Sequence, residues 1–104
     1  MIMTPDWVTA QMFDEAVSKV GAKDRPTSLG KVRLETLAEG TCVQTLHIGS
    51  YDDEGPTLAR LHQEFLPANR LKETGHHHEI YLSDPRRVPP GKFKTILRQP
   101  VKRI

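Results

Sequence analysis

An α+β fold, an antiparallel sheet with helices on one face, is predicted by three patterns in this chain. Apolar residues recur at helical spacing over Met12–Val20 and over Leu58–Leu66. Two strand-like runs flank Ala38-Glu39-Gly40, and two more alternating runs close the sequence, from His76 to Leu82 and from Phe93 to Val101. The resulting order is helix, hairpin, helix, hairpin.

The elements follow in turn. Met1-Ile2-Met3 is a short apolar start, ended by Thr4-Pro5-Asp6, where Pro5 lacks a ladder donor and favours a turn. Thr9 is placed as an N-cap, and Met12, Phe13, Ala16, Val17 and Val20 give the following helix one apolar face up to Gly21. Ala22 to Gly30 has no periodicity and reads as a loop. Val32, Leu34 and Thr36 alternate with charged residues, and Thr41 to Ile48 is rich in Val, Thr, Leu and Ile, so the two runs predict a hairpin. Asp52, Asp53 and Glu54 stand where a helix N-terminus favours negative charge, and Pro56 suits a first helical turn. Leu58, Leu61, Phe65 and Leu66 are the apolar face of that second helix, until Pro67 interrupts it. Lys72 to Gly75 reads as a polar turn. The alternating runs on either side of Pro89-Pro90 then predict the final hairpin.

Composition narrows the function. With 104 residues, 37% of them hydrophobic, the chain is sized for one domain spanning 1–104. Fifteen Lys and Arg nearly balance thirteen Asp and Glu, so no strong field of one sign points to a nucleic-acid partner. No apolar run reaches the roughly 18 residues that span a bilayer, and the start shows no basic segment followed by an apolar one. The lone Cys42 sits in a strand-like context, which fits a small buried residue in a reduced, cytoplasmic setting. Trp7 reads as a lid over a pocket or, better, as a hydrophobic staple on the first helix. The pairs Lys102-Arg103 and Arg86-Arg87 read as solvated surface. No Gly-x-Ser-x-Gly elbow, phosphate-cradling glycine loop or Cys–His pair is present, so no cofactor is predicted.

The run His77 to Leu82 carries the strongest chemistry. On a strand, His77, Glu79 and Tyr81 share one face, and His78, Ile80 and Leu82 share the other, which reads as the core side beneath a helix layer. A carboxylate between an imidazole and a phenol suits a donor-bearing or cationic ligand, with rings to stack on it. On the strand pattern alone, the favoured reading is a Glu79 solvated on an open sheet face. His76-His77-His78 is a poor metal set, because neighbours on a strand diverge and no Cys, Asp or Glu partner lies at ligand spacing.

Three strings, His47-Ile48-Gly49-Ser50-Tyr51-Asp52-Asp53-Glu54, His77 to Arg87 and Lys94 to Val101, together resemble the GyrI-like family of small-molecule-binding domains. The resemblance runs from Met1 to Arg103. It implies an SHS2-type module, hairpin-helix-hairpin, here preceded by an extra helix, of which full members carry two around a central cleft. It also implies a pocket glutamate at Glu79, with Tyr81 and Tyr51 as aromatic walls; His77, from its place on the same strand face, and Trp7, as a further wall, complete the candidate ligand-binding residues. Related domains serve as drug sensors in transcription regulators, as gyrase-inhibitor proteins, and as hydrolases of cyclopropane-bearing, DNA-alkylating natural products. The implied function is binding of hydrophobic or cationic small molecules. The alternative is hydrolysis, with Glu79 as the catalytic general base. Ser50 replaces a usual proline, Gly91 replaces a helix former, and the loop before His76 is short. The chain matches only one repeat plus the linking helix, so either a second copy rebuilds the cleft or the chain is a fragment or degenerate form, and a homodimer is the expectation. The sequence holds no helix-turn-helix pattern that would read DNA.

Overall fold

The computed structural model describes residues 1–104, which divide into two compact units, Met1–Leu37 and Ala38–Ile104. The predicted class holds: the chain combines helices with a four-stranded antiparallel sheet. No helix is long and apolar enough to cross a membrane.

The first unit is built on α1 (Ala10–Lys23). Its N-cap is Thr9, as predicted, with the hydroxyl accepting from the Met12 amide at 3.2 Å. The helix runs two residues past Gly21, because Asp24 continues the ladder to the Val20 carbonyl before the chain turns extended. Phe13 and Val17 are half-buried, whereas Met12 and Val20 are exposed. Trp7 is 70% exposed, too open to staple α1. The strand expected over Lys31–Thr36 does not form. Leu29–Lys31 is a single 3-10 turn, and the residues up to Leu37 make no ladder.

The second unit contains the sheet. Strand β1 (Cys42–Ile48) pairs with the long central strand β4 (Lys94–Arg103), from Cys42 opposite Pro100 to Ile48 opposite Lys94. On the other side of β4, β2 (Leu71–Glu73) and β3 (His78–Tyr81) lie end to end, both antiparallel to it. They act as one strand interrupted at 74–77. The polar turn predicted for Lys72–Gly75 is therefore partly strand, and the predicted strand from His76 is shorter.

Gln99 explains how the interruption is tolerated. It is 1% exposed, and its amide donates to the Gly75 carbonyl at 2.8 Å and to the Pro100 carbonyl at 3.0 Å, while its oxygen meets the His62 ring at 2.9 Å. The backbone groups freed by the break are thus satisfied by a side chain. Pro100, which has no N–H to give, sits beside this break and accepts from the Thr74 amide at 3.1 Å.

The expected first hairpin does not form, and β1 pairs only with β4. Glu39, placed in its turn, instead reaches across the sheet to ion-pair with His78 of β3 and Arg98 of β4.

A helical run over residues 51–68 covers the sheet. It opens as a 3-10 turn (Tyr51–Glu54), becomes α-helical (Gly55–Ala59), widens to a π-helix (Arg60–Phe65) and ends in one α-turn (Leu66–Ala68). Pro67 lacks an N–H and its ring would crowd the carbonyl four residues back, and the wide turn relieves both problems. In that turn the Leu66 amide donates to the Leu61 carbonyl, five residues away. One extra residue per turn rotates the buried stripe. Leu61 and Leu66 are 6% and 3% exposed, while Phe65, expected on the apolar face, is 47% exposed.

Which face of the sheet is covered corrects the sequence reading. Thr95, Leu97 and Gln99 of β4 are the most deeply buried residues, and through the register they share a face with Glu79 and Tyr81. Leu46, Ile48 and Leu82 are at least half exposed on the opposite face, with Ile80 and Ile96 half-buried among them. The helical layer lies over the glutamate, not over Ile80 and Leu82. Alternation shows which residues share a face, but it does not show which face is covered. The apolar core is small: Leu61, Leu66, Phe93, Leu97 and Val101, each worth about 1.5–3 kcal/mol when fully buried.

Candidate functional site

Glu79 lies on β3 opposite Leu97 of β4, and on the flank away from β4 this strand has no partner. Its carboxylate accepts from the Tyr81 hydroxyl at 2.9 Å and faces the His77 ring nitrogen Nε2 at 3.9 Å. Tyr51, at the start of the helical run, meets the Tyr81 ring edge-on at 5.2 Å between centroids and lies 5.0 Å from Phe93. Four of the five residues singled out from the sequence therefore converge: Glu79, Tyr81, Tyr51 and His77. Trp7 belongs to the first unit. No cluster of three or more His, Cys, Asp or Glu side chains has the geometry to hold a metal ion.

One residue of this constellation escaped the sequence reading. Glu54, assigned there to the helix N-terminus, is 5% exposed and directed inward at Glu79. Its Oε1 is buried and meets no donor. A signal was present, because Glu54, Leu58 and Leu61 stand at i, i+4 and i+7, the stripe that faces the sheet.

His47, 8% exposed, is the third polar group, and it occupies the same cross-strand row as Thr95 and Tyr81. Its Nε2–H donates to the Ser50 carbonyl at 2.9 Å. The turn that permits this needs glycine at 49. Its φ is +143°, and a Cβ there would lie 3.3 Å from the His47 ring. The Gly49 amide in turn donates to the Phe93 carbonyl at 2.8 Å, tying the turn to the lead-in of β4.

The electrostatics divide the two carboxyl groups. Burial pushes Glu54 up to about 7, the adjoining Glu79 adds to the rise, and His47 opposes it. Glu79 moves the other way, held below the ordinary carboxyl range chiefly by the hydrogen bond from Glu54, with burial opposing and Tyr81 and His77 assisting. The Tyr81 phenol is raised because it donates to that carboxylate. Two adjacent carboxyl groups cannot both ionise cheaply, so a single shared proton is the stable state. Chemically, the arrangement offers one anion, one neutral acid and a half-open aromatic wall.

The wall is not enclosed. Tyr51, Tyr81 and His77 remain 40% or more exposed, and the best-formed surface depressions, near Gly21 and Leu29 in one unit and near Phe65 and Arg103 in the other, lie elsewhere.

Comparison with known proteins gives the class, a small-molecule-binding module, and names the family. The chain belongs to the GyrI-like small molecule binding domain family, which matches residues 4–102. Two solved structures from Listeria innocua are similar to it. One, a hydrolase, is 40% identical with a TM-score of 0.77, over 95% of this chain and 52% of its own. The other, an uncharacterized conserved protein, is 42% identical with a TM-score of 0.81, over 95% of this chain and 50% of its own. The chain thus spans about half the length of these relatives. No curated protein matches it.

Proposed function

We propose that the chain binds hydrophobic or cationic small molecules through Glu79, with Tyr81, Tyr51 and His77 as the surrounding wall, for sequestration or sensing. The observation that carries this reading is the Glu79 carboxylate itself. It is ionised, partly shielded, fixed by the Tyr81 hydroxyl and bordered by aromatic rings, which is the composition that holds a lipophilic cation by charge and by cation–π contact. Titration calorimetry with tetraphenylphosphonium tests it: wild type gives saturable binding, and Glu79→Gln loses it.

A second copy of the chain completes the cleft. Relatives twice as long, an unpartnered edge at β3 and the exposed Leu46, Ile48 and Leu82 support this part of the proposal. Light scattering in the presence of tetraphenylphosphonium is expected to report twice the 11.8 kDa chain mass. A monomer that binds the cation would remove the second copy from the account.

Hydrolysis is the second reading, favoured by the hydrolase among the similar structures. In it Glu79 takes a proton from water as the water oxygen bonds to a cyclopropane carbon of a cyclopropanoid, DNA-alkylating substrate, the strained ring C–C bond breaks, and the electron pair released takes up a proton from solvent. Turnover abolished in Glu79→Gln while binding of the intact substrate persists would support the enzyme. Turnover retained in that variant would rule out Glu79 as the base.

A further inference from the structure

We propose that Glu54 is the positioning partner of Glu79: a buried carboxylic acid that keeps the pair's single proton and donates it, as a hydrogen bond, to the Glu79 carboxylate. This inference rests on the reading of Glu79 as the anchor and adds a second residue to it. The geometry carries it. Glu54 is 5% exposed on the helical run directly above the sheet, its Oε1 has no donor within reach, and its carboxyl adjoins that of Glu79. Two carboxyl groups in such contact are held together only when a proton lies between them, and the more buried of the two is the better place for it. Glu79 keeps the charge because the Tyr81 hydroxyl and the His77 ring face it from its more open side.

The groups facing Glu54 are Glu79 and Tyr81 from β3 and His47 from β1. None is a fixed cation that would stabilise a second carboxylate permanently. The site is therefore a two-carboxyl unit with one negative charge below about pH 7, and it gains a second charge as the pH rises through that value. A bound cation favours that second ionisation.

The test is tetraphenylphosphonium affinity measured from about pH 5.5 to about pH 8.5. Wild type is expected to bind at least about fivefold more tightly at the upper end. Glu54→Gln, whose amide replaces the acid as donor, is expected to give a clearly shallower profile, keeping only what His77 and His47 contribute. Glu54→Leu, similar in size but without a donor, is expected to bind about tenfold more weakly than Glu54→Gln throughout. Parallel profiles for wild type and Glu54→Gln, with Glu79→Gln unable to bind, would overturn the role of Glu54 while leaving the anchor intact. Undiminished binding in Glu79→Gln would instead sink the anchor reading itself. Should the Glu54 variants fail to fold, carbon-13 NMR of glutamate-labelled wild type gives the answer. One side-chain carboxyl is expected to titrate near 7 and to move downward in Glu79→Gln. Absence of any such resonance would overturn the proposal.

Discussion

Replacing Glu54 by glutamine should change how the stability of the fold depends on pH. The native Glu54 carboxyl titrates at about 7, against an ordinary value of 4.5. Between these values the folded protein holds a proton that the unfolded chain has released, so stability falls as the pH rises through the window. At about 1.4 kcal/mol for each tenfold difference in proton affinity, the loss from pH 4.5 to above pH 7 is roughly 3 kcal/mol. Glu79 does not blur this window. Its folded value is lowered, so its contribution is present above the ordinary carboxyl value and is lost only as the pH falls below it. His47 faces Glu54 in both proteins and largely cancels in the comparison. The assay is urea denaturation followed by circular dichroism at about pH 5 and about pH 8. Wild type is expected to lose roughly 2.5 kcal/mol more between these conditions than Glu54→Gln does. A difference under about 0.5 kcal/mol would refute the shared-proton argument.

Other substitutions probe the scaffold. Leu97→Ala removes the most central apolar side chain of the sheet, 1% exposed, and should cost about 2–5 kcal/mol in the same denaturation experiment. Gln99→Leu leaves the Gly75 carbonyl and the His62 ring without their partner and should cost about 1–3 kcal/mol, with faster amide exchange across residues 74–77. Thr9→Ala deletes the α1 cap and should reduce helical content of the first unit, at a cost of about 1 kcal/mol.

Much of the molecule was legible in the sequence because local rules acted unopposed. Thr9 capped its helix, the 3.6-residue spacing located the helical run, and the period of two put His77, Glu79 and Tyr81 on one face. What could not be read was set by tertiary context. The covered side of the sheet was misassigned because its inner face is rich in polar groups, with Glu79, Thr95 and Gln99 beside Leu97, while the open face is the more apolar one. Local alternation at Val32 and Leu34 predicts a strand, yet the residues up to Leu37 make no ladder, and Glu39, placed in the hairpin turn, instead meets His78 and Arg98. The π-turn before Pro67 shifted burial from Phe65 to Leu66. Glu54 reads from the sequence as a helix N-terminal charge beside Asp52 and Asp53, although its place in line with Leu58 and Leu61 marks it as inward-facing.

The central claim is that the Glu79 charge anchors the ligand. Calorimetric titration of tetraphenylphosphonium into wild type and Glu79→Gln, side by side at neutral pH, addresses it most directly. The amide has the shape of the carboxylate without its charge, so affinity should fall at least tenfold, or about 1.4 kcal/mol, with the fold unchanged by circular dichroism. Equal affinity in the two proteins would contradict the account.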